Sequence, residues 1–103
     1  MSDVLKQLAA TIETRRDTDP TISHTAAMLS KGASKCAEKF GEESIEAIIE
    51  AVKGDKAGLT SEAADVLYHL LVMLAACDVS LDDVMAELAR RQGTSGIIEK
   101  ASR

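Results

Sequence analysis

Five carboxylates in two groups carry the clearest chemical signal in this sequence. Glu42, Glu43 and Glu46 fall in one helix-compatible stretch, and Glu62 and Asp65 fall in the next. Residues three or four apart share one face of a helix. Glu43 with Glu46 therefore makes one acidic pair, and Glu62 with Asp65 makes another. Between them lies a Gly54–Gly58 break, which lets the two helices fold back antiparallel and bring the pairs together. Two acidic faces repel unless something positive sits between them. Oxygen donors without a thiolate or imidazole cluster suit a hard cation that keeps several waters, Mg²⁺ or Mn²⁺. The plain alternative is a solvated acidic face, the usual place for such residues. A second acidic pair just before a strongly apolar run weighs against it, because partly buried acids need partners.

The cations have an order of their own. Lys35, Lys39 and Glu43 follow one another at helical i, i+4 steps, and Lys31 precedes them by the same step. A row of lysines leading to metal-binding acids suits a polyphosphate, with the acids on the metal and the lysines on the remaining oxygens. The same spacing also makes ordinary ion pairs worth a few tenths of a kcal/mol, and both readings stay open. His69, four residues after Asp65, can orient that acid, touch a phosphate, or serve as a hydrogen-bonded structural histidine. Arg16 can favour a helix C-terminus or reach a phosphate.

These residues need helices to hold them, and the chain supplies helical signals. Val4, Leu5, Leu8, Ala9 and Ile12 predict a first helix over Asp3 to Arg16, broken by Asp17 to Ser23 with its Pro20. A short turn, Thr25 to Lys31, precedes Gly32. A second long helix is expected from a Ser34 N-cap to about Lys53, with Gly41 either marking a close approach or simply tolerated. A third runs from about Lys56 to Cys77 and is apolar on nearly every side in its second half. Such a helix has to be covered all round. A chain of 103 residues can hardly do that alone, so a homodimer whose third helices meet is expected. A fourth helix starts at Ser80-Leu81-Asp82-Asp83 and ends before Gly93. The expectation is one all-α domain over 1–103, a bundle of four to five helices completed by homodimerisation, with 92–103 as a mobile tail.

Composition narrows the function classes. Hydrophobic residues make up 46% and charged residues 28%, as in a globular chain. Phe40 and Tyr68 are the only aromatics, so the core must be aliphatic. A net charge of −5, from 17 acidic and 12 basic residues, argues against general nucleic-acid binding. Cys36 and Cys77 form neither a zinc pattern nor a disulfide framework and read as small core fillers. The start lacks the features of a signal peptide, and the apolar run Val66 to Cys77, interrupted by His69, is too short for a bilayer. A cytoplasmic location without membrane partners is the expectation.

Glu42-Glu43-x-x-Glu46, then fifteen residues, then Glu62-x-x-Asp65 resembles the signature of the all-α, MazG-like nucleoside-triphosphate pyrophosphohydrolases. Ser23-His24-Thr25, Lys31-Gly32, Lys35, Lys39 with Gly41-Glu42-Glu43, the Ser61 to Leu71 segment, and Gly93-Thr94-Ser95-Gly96 with Glu99-Lys100 narrow the resemblance to the phosphoribosyl-ATP pyrophosphatase family. His24 stands where that family is expected to carry Tyr, and Ala33-Ser34 where Pro-Asp is common. The resemblance implies a bundle-like dimer and Mg²⁺-dependent hydrolysis of phosphoribosyl-ATP to phosphoribosyl-AMP and pyrophosphate, with the second step of histidine biosynthesis as its setting. It further implies Glu43, Glu46, Glu62 and Asp65 as metal ligands, and Glu42 as a ligand or as a base beside them. Lys35, Lys39, Lys31, Arg16 and His69 are the expected phosphate contacts. A pyrophosphohydrolase of ordinary or damaged nucleoside triphosphates and a non-enzymatic helical dimerisation module are the competing readings.

Overall fold

The computed structural model describes residues 3–92, and every described element is a helix. They are α1 (Val4–Thr14), α2 (His24–Ser30), α3 (Ala33–Lys53), α4 (Lys56–Ala76) and α5 (Leu81–Gln92). The all-α expectation holds. The expected mobile tail lies, beyond Gln92, outside the described residues.

The architecture is built around a long antiparallel hairpin of α3 and α4. Its turn is two residues, and its chemistry is local. Gly54 closes α3 in the left-handed region at φ 75°, ψ 21°, where a side chain is penalised. Asp55 then caps α4, its carboxylate accepting from the Gly58 N–H at 2.9 Å. A methyl group at Gly58 would meet the carboxylates of Glu50 and Asp55 at 2.5 and 2.9 Å, so the bare glycine lets the cap close.

Two boundaries differ from the expectation. The segment before Gly32 is a helix, not a turn: Ser23 accepts from the Ala26 N–H at 3.1 Å, and Ala26 and Met28 are buried. Seven residues are marginal as an isolated helix, so packing supplies the stability that the local sequence does not advertise. Gly32, at φ 91°, rather than Ser34 takes the N-cap position of α3 and makes no side-chain cap bond. Gly41 has open space where its Cβ would lie, which leaves a tolerated helical glycine rather than a close approach. At α5 the Ser80 cap is as expected, its hydroxyl accepting from the Asp83 N–H at 3.1 Å.

The core is small and aliphatic: Ile12, Met28, Cys36, Leu71 and Val72, with Leu5, Leu8, Leu29 and Leu81 packed around it. Cys36 is the core filler expected of it, and its thiol donates to the Met28 carbonyl at 3.3 Å. Cys77 is not, because α4 ends there and leaves it exposed. The chain leaves α4 through Asp78 at φ 58°, and the Val79 N–H returns to the Leu74 carbonyl at 2.9 Å.

Among the described residues the most regular uncovered apolar stripe is on α3, where the expectation placed it on α4. Ile45, Ile48, Ile49 and Val52 are 59, 60, 49 and 83% exposed and recur at i, i+3, i+4, i+7. Helix α4 exposes Leu67 and buries His69, Leu71 and Val72. By length and hydropathy alone, the 21 residues of α4 also suffice to cross a membrane, contrary to the shorter run read from the sequence. The same helix carries Glu62, Asp65 and the core face of the domain.

Candidate metal centre and active site

The α3–α4 hairpin brings three of the five carboxylates together. One oxygen each from Glu43, Glu62 and Asp65 lies within 4.8 Å of the other two. Ligands on one Mg²⁺, with bonds of about 2.1 Å, stand roughly 3 to 4 Å apart, so small rotamer changes close this triangle on a cation. Glu62 is half-buried, and its Oε2 is buried without a hydrogen-bond partner. A bare buried carboxylate oxygen is costly, and a cation relieves that cost. The donor set fits a hard divalent ion.

The electrostatics agree. Burial pushes the Glu62 carboxyl above its ordinary range, and the charges of Glu46, Asp65 and Glu50 push it further. Glu46 stands beside Glu43, one turn further along α3. The Glu43 carboxyl raises its pKa, with Asp65 adding and Lys39 opposing. Without a cation Glu62 and Glu46 therefore hold their protons more tightly than free carboxyls do. Glu50 continues the α3 row at i+4 from Glu46 and makes an ion pair with Lys53 at 3.5 Å. It belongs to the field felt by Glu62 and was missed in the sequence, although its i, i+4 step from Glu46 was visible there.

The remaining candidates are placed differently. Glu42, next to Glu43 but about 100° round the helix, makes an ion pair with Lys39 at 3.5 Å. Lys35 pairs with Glu38 at 3.1 Å. Both pairs are i, i+3 and solvent-exposed, so they are weak and easily exchanged for phosphate. Lys31 ends α2 and makes no ion pair among the described residues. Arg16 is engaged elsewhere. It donates to the Ala75 carbonyl at 2.9 Å, pairs with Glu13 at 2.9 Å and lies 3.7 Å from Asp78. Ala75 is ten residues beyond Asp65 along α4, about 15 Å by helical rise, so Arg16 closes the far end of that helix. A groove of about 500 Å³ lies at that same end, between Lys6, Arg16, Leu74, Asp78 and Leu81, away from the carboxylates.

His69 is 6% exposed, and its Nδ1 has no hydrogen-bond partner. Burial lowers its pKa, and Lys39 and His24 lower it further. It therefore favours the neutral ring, which hydrogen-bonds rather than neutralises a phosphate. Its neighbours are rings: Tyr68 at 4.9 Å between centroids and His24 at 6.4 Å, both edge-on.

The comparisons with known proteins converge on one family. The family model described as phosphoribosyl-ATP pyrophosphohydrolase matches residues 5–92. A Ruegeria pomeroyi protein named phosphoribosyl-ATP pyrophosphatase is 72% identical over 100 residues, covering 97% of this chain and 95% of its own length. Proteins of the same name from Cereibacter sphaeroides and Jannaschia sp. are 70 and 71% identical, each covered over 97% of its length. With its carboxylate hairpin and a match along nearly its whole length, the chain belongs to the phosphoribosyl-ATP pyrophosphohydrolase family.

Proposed function

We propose that this protein hydrolyses phosphoribosyl-ATP between its α and β phosphates, giving phosphoribosyl-AMP and pyrophosphate, the second step of histidine biosynthesis. The observation that carries the reading is the Glu43–Glu62–Asp65 oxygen triangle with its unpartnered buried oxygen, in a chain about 70% identical to proteins bearing that activity in their names. Glu43, Glu62 and Asp65 hold Mg²⁺, for which Mn²⁺ can substitute. Glu46, beside the triangle, would be a fourth carboxylate ligand. When bound, the cation supplies Lewis acidity, drawing charge off the phosphates and making water acidic. Glu42, one residue from the triangle, orients the attacking water and takes its proton. Lys39 and Lys35 exchange their weak partners for phosphate oxygens, and Lys31 extends the row. The released pyrophosphate leaves from the face opposite the attack.

The enzyme acts as a homodimer in the cytoplasm. The α3 stripe of Ile45, Ile48, Ile49 and Val52 supports the second copy, because a stripe this regular is otherwise left in water on a domain with a small core.

The test is pyrophosphate release from phosphoribosyl-ATP beside a panel of ordinary nucleoside triphosphates, with Mg²⁺ and with EDTA. Fast Mg²⁺-dependent release from phosphoribosyl-ATP is expected. Release from the ordinary triphosphates in its place discards the histidine step, and release from none of them discards the enzyme.

A further inference from the structure

Rings are scarce in this chain, and they are gathered in one place. It has one Tyr, one Phe, two His and no Trp. Three of those four rings, His24, Tyr68 and His69, form a single cluster. The cluster begins one helical turn beyond Asp65, since Tyr68 and His69 follow that acid by three and four residues on α4.

The geometry of the cluster is graded. His69 is buried at its base, with Tyr68 edge-on to it. Tyr68 is half-buried, and its hydroxyl is hydrogen-bonded to the Thr25 hydroxyl, which fixes the ring. His24 is exposed and lies nearly parallel to Tyr68, at 24° with centroids 6.3 Å apart. Rings in full face contact have centroids roughly 3.5–4 Å apart, whereas offset pairs reach about 7 Å. At 6.3 Å the two are not in full face contact, and the exposed His24 ring keeps surface towards solvent. The cluster also holds a buried imidazole nitrogen without a partner, His69 Nδ1. Exposed ring surface at His24, backed by a polar cluster, suits a flat heterocycle whose edge carries hydrogen-bonding groups. An aliphatic or purely ionic ligand would use neither feature.

We propose that His24 and Tyr68, backed by His69, form the surface on which the adenine ring of the substrate stacks. The inference rests on the proposed function and adds the residues that hold the base. The base then lies one turn of α4 from the carboxylates, with the ribose and α phosphate spanning the turn.

The sequence makes the test unusually direct, because a single tyrosine in a chain without tryptophan reports one location. Titrating the metal-free protein with AMP should quench Tyr68 emission and shift the ring protons of His24. Ribose 5-phosphate, which lacks the base, should do neither. His24→Ala, at an exposed position that spares the core, should weaken AMP binding by about tenfold, the order found for one stacked base. It should act on KM for phosphoribosyl-ATP more than on kcat. His24→Phe should restore most of the loss. Absence of AMP binding at millimolar concentration, binding without a change at Tyr68, or unaltered AMP affinity in His24→Ala would each overturn the inference. If AMP perturbs the rings but the wild type releases no pyrophosphate, the proposed function fails and the base surface stands. If release is fast and the rings are unperturbed, only the base surface fails.

Discussion

Replacing Glu62 by Gln should make the metal-free protein more stable at neutral pH while abolishing its response to Mg²⁺. Glu62 carries a buried oxygen without a partner, and burial and neighbouring acids raise its pKa. A carboxyl whose folded pKa lies above its unfolded value favours folding below about 4.5, its unfolded value. That contribution is lost as pH rises through the folded pKa. In EDTA, wild type and Glu62→Gln should therefore melt closest together below about pH 4.5, with the variant pulling ahead towards pH 7. Glu87, whose ion pairs with Arg90 and Arg91 hold its carboxyl at about 2, has the opposite sign. Its contribution is present above the unfolded value of 4.5 and is lost as pH falls towards 2, equally in both proteins, so it cancels in the comparison. Mg²⁺ then reverses the order. At a hundredfold excess over Kd a bound ion adds about 2.7 kcal/mol. For a domain of this size that is on the order of 10–20 °C in Tm. Thermal melts followed by circular dichroism across pH, with EDTA and with Mg²⁺, read both effects. Equal destabilisation of Glu62→Gln at every pH, with an intact Mg²⁺ shift, would refute the reasoning. It would mean that the carboxylate is satisfied without a cation and does not hold one.

Other predictions follow from single contacts. Asp65→Asn should lower Mg²⁺-dependent pyrophosphate release by at least about 100-fold in a folded protein, since it removes a proposed ligand rather than an outer partner of one. Arg16→Ala should cost about 1 kcal/mol in urea unfolding, because its guanidinium binds the Ala75 carbonyl at a partly exposed site. It should leave KM unchanged, and a large rise in KM would restore the phosphate role expected from the sequence. Ile12→Ala, at 1% exposure, should cost about 2–5 kcal/mol with the urea slope preserved. Ile48→Glu should shift sedimentation equilibrium from dimer to monomer, whereas a wild type that sediments as a monomer at micromolar concentration would remove the second copy altogether.

Much of the fold was legible because its punctuation is local. Gly54-Asp55 stops one helix and caps the next through the adjoining residues alone, and Ser80 does the same for α5. The i, i+3 spacing of Glu43 with Glu46 and of Glu62 with Asp65 follows from helical periodicity, which needs no knowledge of the partner helix. The α2 helix was harder to see. Its seven residues are held by burial of Ala26 and Met28 against other elements rather than by propensity.

The sequence by itself determined which residues share a helical face, where the long helices stop and which family they resemble. Only the tertiary structure decided which faces meet. A helical repeat fixes the angle between two side chains on one helix but says nothing of how far that helix is turned towards its neighbour. The rotation of α3 against α4 joins Glu43 to Glu62 and Asp65 and puts Glu46 beside them. On α3 the same rotation leaves Ile45, Ile48, Ile49 and Val52 uncovered. Arg16 was ambiguous for the same reason: its partner at Ala75 is 59 residues away, and only the packed chain brings that carbonyl within reach.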